Sequence, residues 1–402
     1  MMAETSRAAP GTWHEVLAVF LRLGLTSFGG PVAHLGYFRE EFVAKRQWLD
    51  DRTYADIVAL CQFLPGPASS QVGIAIGLSR AGYAGAFAAW TGFTLPSAIA
   101  LVAFAYGVDA LGVGAGTGWL HGLKVAAVAV VAQAVLGMMR SLAPDRERAT
   151  IAVVATIIVL ALPSAWSLVG TILAGGLVGV ALLRTAPPSD HVSLPLPMSR
   201  RTGAAMLVLF LVLLAGLPLL AAATSSHTIK LIDAFYRTGS LVFGGGHVML
   251  PLLQEAVVPS GWTTRDIFLA GYGATQAVPG PLTTFAAYLG AIMKPEPHGV
   301  VGAVLCLVAI FVPSFLLVFG ALPFWEEFRR RSWAQAALRG INAAVVGILL
   351  AALYDPVWTA GITSRGDFAL AVGAFLLLFM WKTPPWLVVI LSAIGGAVIA
   401  AL

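Results

Sequence analysis

The sequence predicts an all-α integral membrane protein with two inverted-topology repeats, in which broken, re-entrant helical hairpins are combined with spanning helices. Three observations support this prediction: the composition, an internal duplication, and the distribution of positive charge between the halves. The chain has 402 residues, of which 58% are hydrophobic and 11% are charged. In soluble domains about 25% of the residues are charged. The composition therefore indicates a multi-pass membrane protein.

Long stretches without Asp, Glu, Lys or Arg provide the predicted spans, and each has about the 20 residues that a spanning helix needs. These stretches are 81–108, 150–183, 202–229, 267–293, 297–325 and 383–402. The first residues lack an apolar core followed by a cleavage site, so no signal peptide is predicted. Cys61 and Cys306 lie in apolar stretches and have neither disulfide nor metal-binding spacing.

The second half of the chain repeats the first. FLRLGLTSFGG at 20–30 aligns with FYRTGSLVFGG at 235–245, and a Pro-Gly-Pro motif, called PGP below, occurs at 65–67 and again at 279–281. Pro96-Ser97 also matches Pro313-Ser314. Because these matches keep their order over a long distance, they indicate an internal duplication rather than shared hydrophobicity.

Lys and Arg residues are concentrated in non-equivalent loops of the two halves. The loop 39–52 contains four Lys or Arg residues, whereas its counterpart in the second half carries only Arg265. The loop 106–118 contains neither, whereas its counterpart is EEFRRR, with Arg329, Arg330 and Arg331. Since short cytoplasmic loops are rich in Lys and Arg, the halves are predicted to be inverted. Inverted repeats with interrupted helices are typical of secondary transporters.

The predicted organisation has five parts: an N-terminal tail (1–12), a first repeat (13–183), a cytoplasmic linker (184–201), an extra transmembrane helix (202–227) and a second, inverted repeat (228–402). Broken hairpins are predicted at 15–38, 54–79, 228–250 and 266–291. Spanning helices are predicted at 82–105, 119–140, 150–163, 166–183, 299–322, 334–353, 368–381 and 385–402. A pair of full spans in place of each hairpin is the alternative.

The breaks themselves predict a binding site. Proline removes a backbone donor and disfavours helical geometry at the preceding residue, so each PGP motif should separate two half-helices. The helix that resumes offers free amides and hydroxyls, which suit an oxyanion. Glycine pairs in the first segment of each half allow a tight turn and a close approach to a ligand. We expect the two oppositely oriented helix N-termini to meet near the middle of the membrane.

The chain resembles the chromate ion transporter family in its two-domain, long-chain form. FGGP, PGP followed by hydroxyls and Gln71, and their recurrence as FGGGH and PGPLTT carry the resemblance, which covers residues 12–402. It implies chromate efflux across the bacterial plasma (inner) membrane, driven by the proton-motive force and conferring chromate resistance, with sulfate as a structural competitor. The motifs of the second repeat differ from those of the first at His247, where the first repeat has Val32, and at Phe285, where the first repeat has Gln71.

The motifs define a predicted substrate-binding set with a few charged neighbours. Its motif residues are Gly29, Gly30, Pro31, Pro65, Gly66, Pro67, Ser69, Ser70, Gln71, Gly244, Gly245, Pro279, Gly280, Pro281, Thr283 and Thr284. Three cations join the set, although Arg22 and Arg237 could instead extend to the membrane interface and Lys124 could reach the surface. His247 and Glu255 are predicted to take up protons during coupling, with hydrogen-bonded structure as the alternative for the histidine.

The membrane potential favours export of chromate, which is a dianion at neutral pH. At about 2.3 kcal/mol per charge per 100 mV, negative inside, the dianion gains roughly 4.6 kcal/mol on leaving. A sulfate or other oxyanion importer and a passive anion channel are the alternative functions. The sequence contains no HExxH, no P-loop and no nucleophile beside a base, so no enzyme, metal or cofactor is predicted. The expected partners are the oxyanion, protons and lipid, without nucleic acid; a homodimer is left open.

Overall fold

The computed structural model describes residues 11–110, 118–183, 198–325, 327 and 331–401. Over these ranges the chain forms α-helices with short 3₁₀ and π segments and no β-strand, which confirms the predicted all-α class. Most of the predicted N-terminal tail and linker, together with Arg329 and Arg330, lies outside the described residues.

Among its described residues, the first repeat contains two broken hairpins, then a spanning segment that continues the last hairpin helix, and then three further helices. Its helices are α1 (Trp13–Thr26), α2 (Gly30–Arg39, continued by a π-helical turn Glu40–Lys45), α3 (Asp51–Phe63), α4 (Ala68–Ala110), α5 (Gly118–Leu142), α6 (Arg146–Ala161) and α7 (Ala165–Leu182). Non-helical torsion angles at Ala81 and Gly82 divide α4 into two segments. The breaks between α1 and α2, and between α3 and α4, lie where the glycine pair and the PGP motif predict them.

The second repeat follows the separate helix α8 (Arg200–Ala223) and has the same order of elements. Its helices are α9 (His227–Leu241), α10 (Met249–Val257), α11 (Arg265–Thr275), α12 (Phe285–Ile292), α13 (Gly299–Ala321), α14 (Ser332–Ala352), α15 (Arg365–Phe379) and α16 (Pro385–Ala401). The first hairpin extends beyond the predicted end at residue 250. Pro251 does not stop it, because this proline occupies the first turn of α10, where a missing amide is tolerated.

Within the described part of the chain, five helical segments are long and apolar enough to cross a membrane: Ala68–Ala110, Gly118–Leu142, Arg200–Ala223, Gly299–Phe324 and Ser332–Gly361. Together with the shorter apolar helices they make the chain a multi-pass membrane protein. The segment Arg200–Ala223, which is α8, is the least enclosed, since only 11% of its apolar window is buried by the rest of the chain. This exposure suits a helix that faces lipid beside the two repeats.

The two repeats exchange helices. Helix α5 of the first repeat packs against α15 and α16 of the second, whereas α14 of the second packs against α6 and α7 of the first. The equivalent glycines Gly122 and Gly340 permit this, because each lies against a backbone carbonyl of the neighbouring helix, that of Ser392 and that of Gly175, respectively. Each half therefore completes the helical packing of the other.

Candidate functional site

The first PGP motif forms a tight turn between α3 and α4. Gly66 has a φ of +127°, a backbone conformation that side-chain-bearing residues rarely adopt. A β-carbon on Gly66 would lie 3.0 Å from the Ser314 hydroxyl of α13. The Gln71 side-chain amide donates a hydrogen bond to the Pro65 carbonyl at 2.7 Å. The glycine thus lets a serine of the second repeat approach the break in the first.

Backbone hydrogen bonds connect each PGP motif to the first break of the other repeat. The Gly66 amide donates to the Val242 carbonyl at 2.6 Å, and the Gly280 amide donates to the Ser27 carbonyl at 2.9 Å. Gly66 and Gly280 are equivalent in the two repeats, as are Val242 and Ser27. The four breaks therefore meet in two reciprocal crossings rather than within each repeat separately.

Equivalent serines of the spanning helices repeat this pattern. Ser314 lies beside Gly66, whereas its repeat partner Ser97 has its hydroxyl 3.0 Å from the position that a β-carbon of Gly280 would take. Both serines follow the proline of a matched Pro-Ser pair, and both are buried. Each crossing therefore receives a hydroxyl from a spanning helix of the opposite repeat.

His34 of α2 bridges the two crossings. Its Nδ1 lies 3.3 Å from the Ser69 hydroxyl, and its Nε2 lies 3.2 Å from the Ser27 carbonyl. The side chain is 1% exposed, and its ring packs edge-on against Phe93 with a centroid separation of 5.2 Å. Since the Ser27 carbonyl also accepts from Gly280, an unbroken series of contacts connects the hydroxyl after the first PGP motif to the second PGP motif.

Buried polar atoms without hydrogen-bond partners collect around these breaks. Near the first crossing they are the Ser70 hydroxyl, the Gln71 carbonyl oxygen and the Ser314 hydroxyl. Near the second they are the Ser27, Thr94 and Thr283 hydroxyls and the Gln276 side-chain amide. Leaving a buried donor or acceptor unsatisfied costs about 1–3 kcal/mol, so such groups are usually paired. Seven such groups at the two crossings indicate a polar site that a ligand or water can complete.

The second repeat arranges its break differently. The His247 ring nitrogen Nδ1 shares a 2.7 Å hydrogen bond with the Tyr272 hydroxyl of α11. The Thr284 hydroxyl donates to the Pro281 carbonyl, which leaves Thr283 as the unpaired hydroxyl after this motif. The helix that resumes, α12, spans only Phe285–Ile292 after a 3₁₀ turn.

Open space borders the glycine turns at equivalent places. Gly30 and Gly245 have positive φ values of +76° and +154°, and no atom lies within 4 Å of where their β-carbons would be. Gly29 and Gly244 also have positive φ, as the predicted tight turns require. Pro31 lies in the first turn of α2, where a backbone amide has no acceptor within the helix and its absence costs no hydrogen bond.

The three predicted cations lie in different environments. Arg22 is exposed on α1 and forms no ion pair with another described residue. Arg237 pairs with Asp233 one turn earlier at 2.8 Å. The buried Lys124 donates to Asp266 at 2.8 Å, which joins α5 of the first repeat to α11 of the second. Two of the three charges are thus already matched by carboxylates.

Glu255 is half-buried in α10 and makes contacts of its own. Among the described residues, no group of three His, Cys, Asp or Glu side chains is arranged to hold a metal ion. The chemistry available at the crossings is therefore that of hydroxyls, amides, one imidazole and helix N-termini.

Several residues of the site were absent from the predicted set. Ser97 and Ser314 could have been found, because the matched Pro-Ser pair is visible in the repeat alignment. Ser27 and His34 gave no such signal, since their counterparts Val242 and Met249 differ in chemistry. Only the folding of α2 back onto the start of α4 brings His34 to Ser69.

These features define a multi-pass membrane protein in which two interlocked repeats enclose a polar site. A family model described as "Chromate transporter" matches residues 14–180 and 229–397, the two repeats. The chain belongs to this family. No solved structure matches it.

Named relatives span almost the whole chain. It is 28% identical to the "Chromate transport protein" of Pseudomonas aeruginosa over 96% of this chain and 92% of the relative. It is 26% identical to the "Probable chromate transport protein" of Synechococcus elongatus, over 96% and 95%, and 26% identical to the "Chromate transport protein" of Cupriavidus metallidurans, over 96% and 92%. Membership of the family supports chromate transport as the activity.

Proposed function

We propose that the protein is a secondary active transporter that exports chromate from the cytoplasm and so confers chromate resistance. The observation that carries this proposal is the group of buried, unpartnered polar atoms where the PGP motif of each repeat crosses the first break of the other. The family supplies the substrate class. The predicted bacterial inner-membrane location belongs to the same proposal.

The first crossing has the donors that a tetrahedral oxyanion needs. The amides of Ala68, Ser69 and Ser70 begin α4 and have no acceptor within the helix, and the helix dipole favours negative charge at this end. The unpartnered hydroxyls of Ser70 and Ser314 add two further donors. The Gln71 oxygen is an acceptor, so it suits a water or a proton-bearing group beside the anion rather than the anion itself.

Export follows from the sign of the membrane potential. A dianion leaving a negative interior gains roughly 4.6 kcal/mol per 100 mV, whereas uptake would need about two protons merely to cancel its charge. The proton-motive force therefore favours efflux through its electrical component. His247 and Glu255 remain the proton-coupling candidates that the sequence provides.

An inverted arrangement of the repeats completes the proposal. The reciprocal bonds at Gly66 and Gly280, and the exchange of α5 and α14, are what a two-fold relationship between the halves would produce. The opposite distribution of Lys and Arg in the loops supports an axis that lies in the membrane plane. Both helix N-termini would then face one site from opposite sides of the bilayer.

The test is proton-linked transport of radiolabelled chromate and sulfate in vesicles of known orientation. Replacing both Ser69 and Ser70 by alanine removes two donors, each worth about 1.5–3 kcal/mol when bonded to a charge. We therefore expect transport at low chromate concentration to fall by at least about tenfold. Thr171→Val, which removes a buried unpartnered hydroxyl from α7, is the matched control and should transport normally.

The same vesicles separate the competing functions. Accumulation of chromate only in the direction of cytoplasmic export, and only with an imposed potential or proton gradient, supports the exporter. Sulfate accumulation in the opposite direction would identify an importer, and equilibration without accumulation would identify a channel. Unchanged transport by the double serine variant would remove the first PGP motif from the site.

A further inference from the structure

We propose that His34 is the positioning residue that couples proton binding to oxyanion binding, by controlling the hydroxyl of Ser69. This inference rests on the proposed oxyanion site and adds a residue that the sequence did not indicate. It also assigns the sign of the coupling: the proton and the anion bind together rather than in competition.

The hydrogen bonds fix the state of the neutral imidazole. The Ser27 carbonyl can only accept, so the ring nitrogen facing it, Nε2, must carry a hydrogen. In a neutral imidazole the other nitrogen, Nδ1, is then an acceptor. The Ser69 hydroxyl must therefore donate its single hydrogen to His34 and cannot donate it to an anion.

Protonation reverses the bond to Ser69. Both nitrogens of a charged imidazolium are donors, so Nδ1 then donates to the Ser69 oxygen. The hydroxyl hydrogen of Ser69 becomes free to point toward the start of α4, where Ser70 and the helix amides lie. One proton on His34 thus adds a donor and a positive charge next to the proposed oxyanion site.

Burial of the His34 ring couples its protonation closely to oxyanion binding. The ring is 1% exposed and packs against Phe93, and a charge buried without compensation is costly. The imidazolium is therefore favoured only when the oxyanion supplies the compensating charge. The Ser27 carbonyl accepts hydrogen bonds from both His34 and the Gly280 amide, so the His34 ring is connected to both crossings.

The His34 ring has no hydrogen bond to any other ionisable side chain of the described residues. Both ring nitrogens are already bonded, so no further side chain hydrogen-bonds the ring. Arg39 pairs with Asp51, Lys45 with Glu40, Arg46 with Glu41 and Arg80 with Glu15, while the Tyr54 hydroxyl donates to the Leu35 carbonyl. The remaining ionisable groups on α2 and on the elements packed against it, including the end of α1, are Arg22, Tyr37, Arg52, Asp56, Cys61, Tyr83, Tyr106 and Asp109.

The experiment is isothermal titration of the purified full-length protein with chromate, from neutral to moderately alkaline pH, in buffers with different ionisation enthalpies. We expect the wild-type protein to take up close to one proton for each chromate bound. By linkage, its affinity should then weaken about tenfold for each unit rise in pH. Export of a dianion with one proton still moves net negative charge outward, so the potential continues to favour it.

His34→Gln is the critical variant, since glutamine keeps one donor and one acceptor but does not protonate. We expect it to bind chromate with little pH dependence and without proton uptake, while its unfolding midpoint stays near that of the wild type. His298→Gln, at an exposed position, is the control and should keep the proton uptake.

The outcomes of these titrations distinguish failure of the His34 assignment from failure of the proposed function. Proton uptake that persists in His34→Gln, or that disappears in His247→Gln instead, overturns the assignment to His34. Chromate binding by the wild type without proton uptake also overturns it, even if no variant folds, and leaves the proposed function standing. Absence of chromate binding by the wild type would overturn the proposed function together with this inference.

Discussion

At the scale of single residues, the site depends on positions where a side chain is missing. Gly66 and Gly280 occupy equivalent turns with positive φ, and each receives a serine hydroxyl from the other repeat at a distance that a β-carbon would obstruct. The close approach is thus built into the backbone of both repeats. It explains why PGP, and not proline alone, occurs at both breaks.

Gly66→Ala should therefore abolish most transport and destabilise the protein. The new methyl group would meet both Ser314 and the side-chain amide of Gln71, in a sparsely populated backbone conformation that costs alanine about 1–3 kcal/mol by itself. Gly261→Ala is the matched control, because Gly261 also has positive φ but faces open space. Vesicle transport and unfolding midpoints measure both effects. Equal behaviour of the two variants would contradict the close approach at Gly66.

At the scale of helices, one ion pair ties the repeats together at only one of two equivalent places. Lys124 of α5 contacts Asp266 at the start of α11. Their repeat counterparts are Asn342 and Arg52, which cannot form an ion pair. This ion pair therefore has no equivalent at the matching place, even though the surrounding helices are arranged alike.

The partners of this ion pair differ in burial, which predicts unequal effects of removing them. The Lys124 side chain is 7% exposed and that of Asp266 is 42% exposed. Asp266→Asn leaves a buried cation unpaired and should cost about 3 kcal/mol of unfolding free energy. Lys124→Met leaves a carboxylate that water can reach and should cost only about 1 kcal/mol.

Unfolding of the detergent-solubilised variants tests this difference. The double variant Lys124→Met/Asp266→Asn should recover most of the loss caused by Asp266→Asn, since it no longer buries an unpaired charge. A larger loss for Lys124→Met than for Asp266→Asn would show that the pair does not stabilise the fold as its burial suggests.

At the scale of the whole molecule, neither repeat is complete without the other. The crossings at Gly66 and Gly280 each require backbone from both halves, and α5 and α14 each pack on the last helices of the opposite half. The unit that folds and transports is therefore the pair of repeats.

Cutting the chain in the linker tests this interdependence. We expect residues 1–190 and 191–402, when co-expressed as separate chains, to assemble and transport chromate, because the crossings and the exchanged helices α5 and α14 can join them. Either piece alone should lack transport and be degraded faster, since its exchanged helix would have no partner. Transport by a single piece would contradict the reciprocal architecture.

The sequence by itself determined the all-α membrane class, the duplication and the positions of the four breaks. Charge-free stretches, proline and paired glycines act locally, so their consequences can be predicted without knowing what lies nearby in space. The same local signal predicts hydroxyls directly after each PGP motif, at Ser69 and Ser70 and at Thr283 and Thr284, and their role in binding stays a prediction.

Only the tertiary structure decided which break meets which. The bonds from Gly66 to Val242 and from Gly280 to Ser27 join residues that are far apart in sequence, and no periodicity encodes such contacts. The same is true of His34, whose repeat counterpart Met249 differs in chemistry, and of Lys124, whose partner Asp266 is 142 residues away. Long-range pairing depends on how helices cross, and the crossing is set by packing of the whole chain rather than by any local pattern.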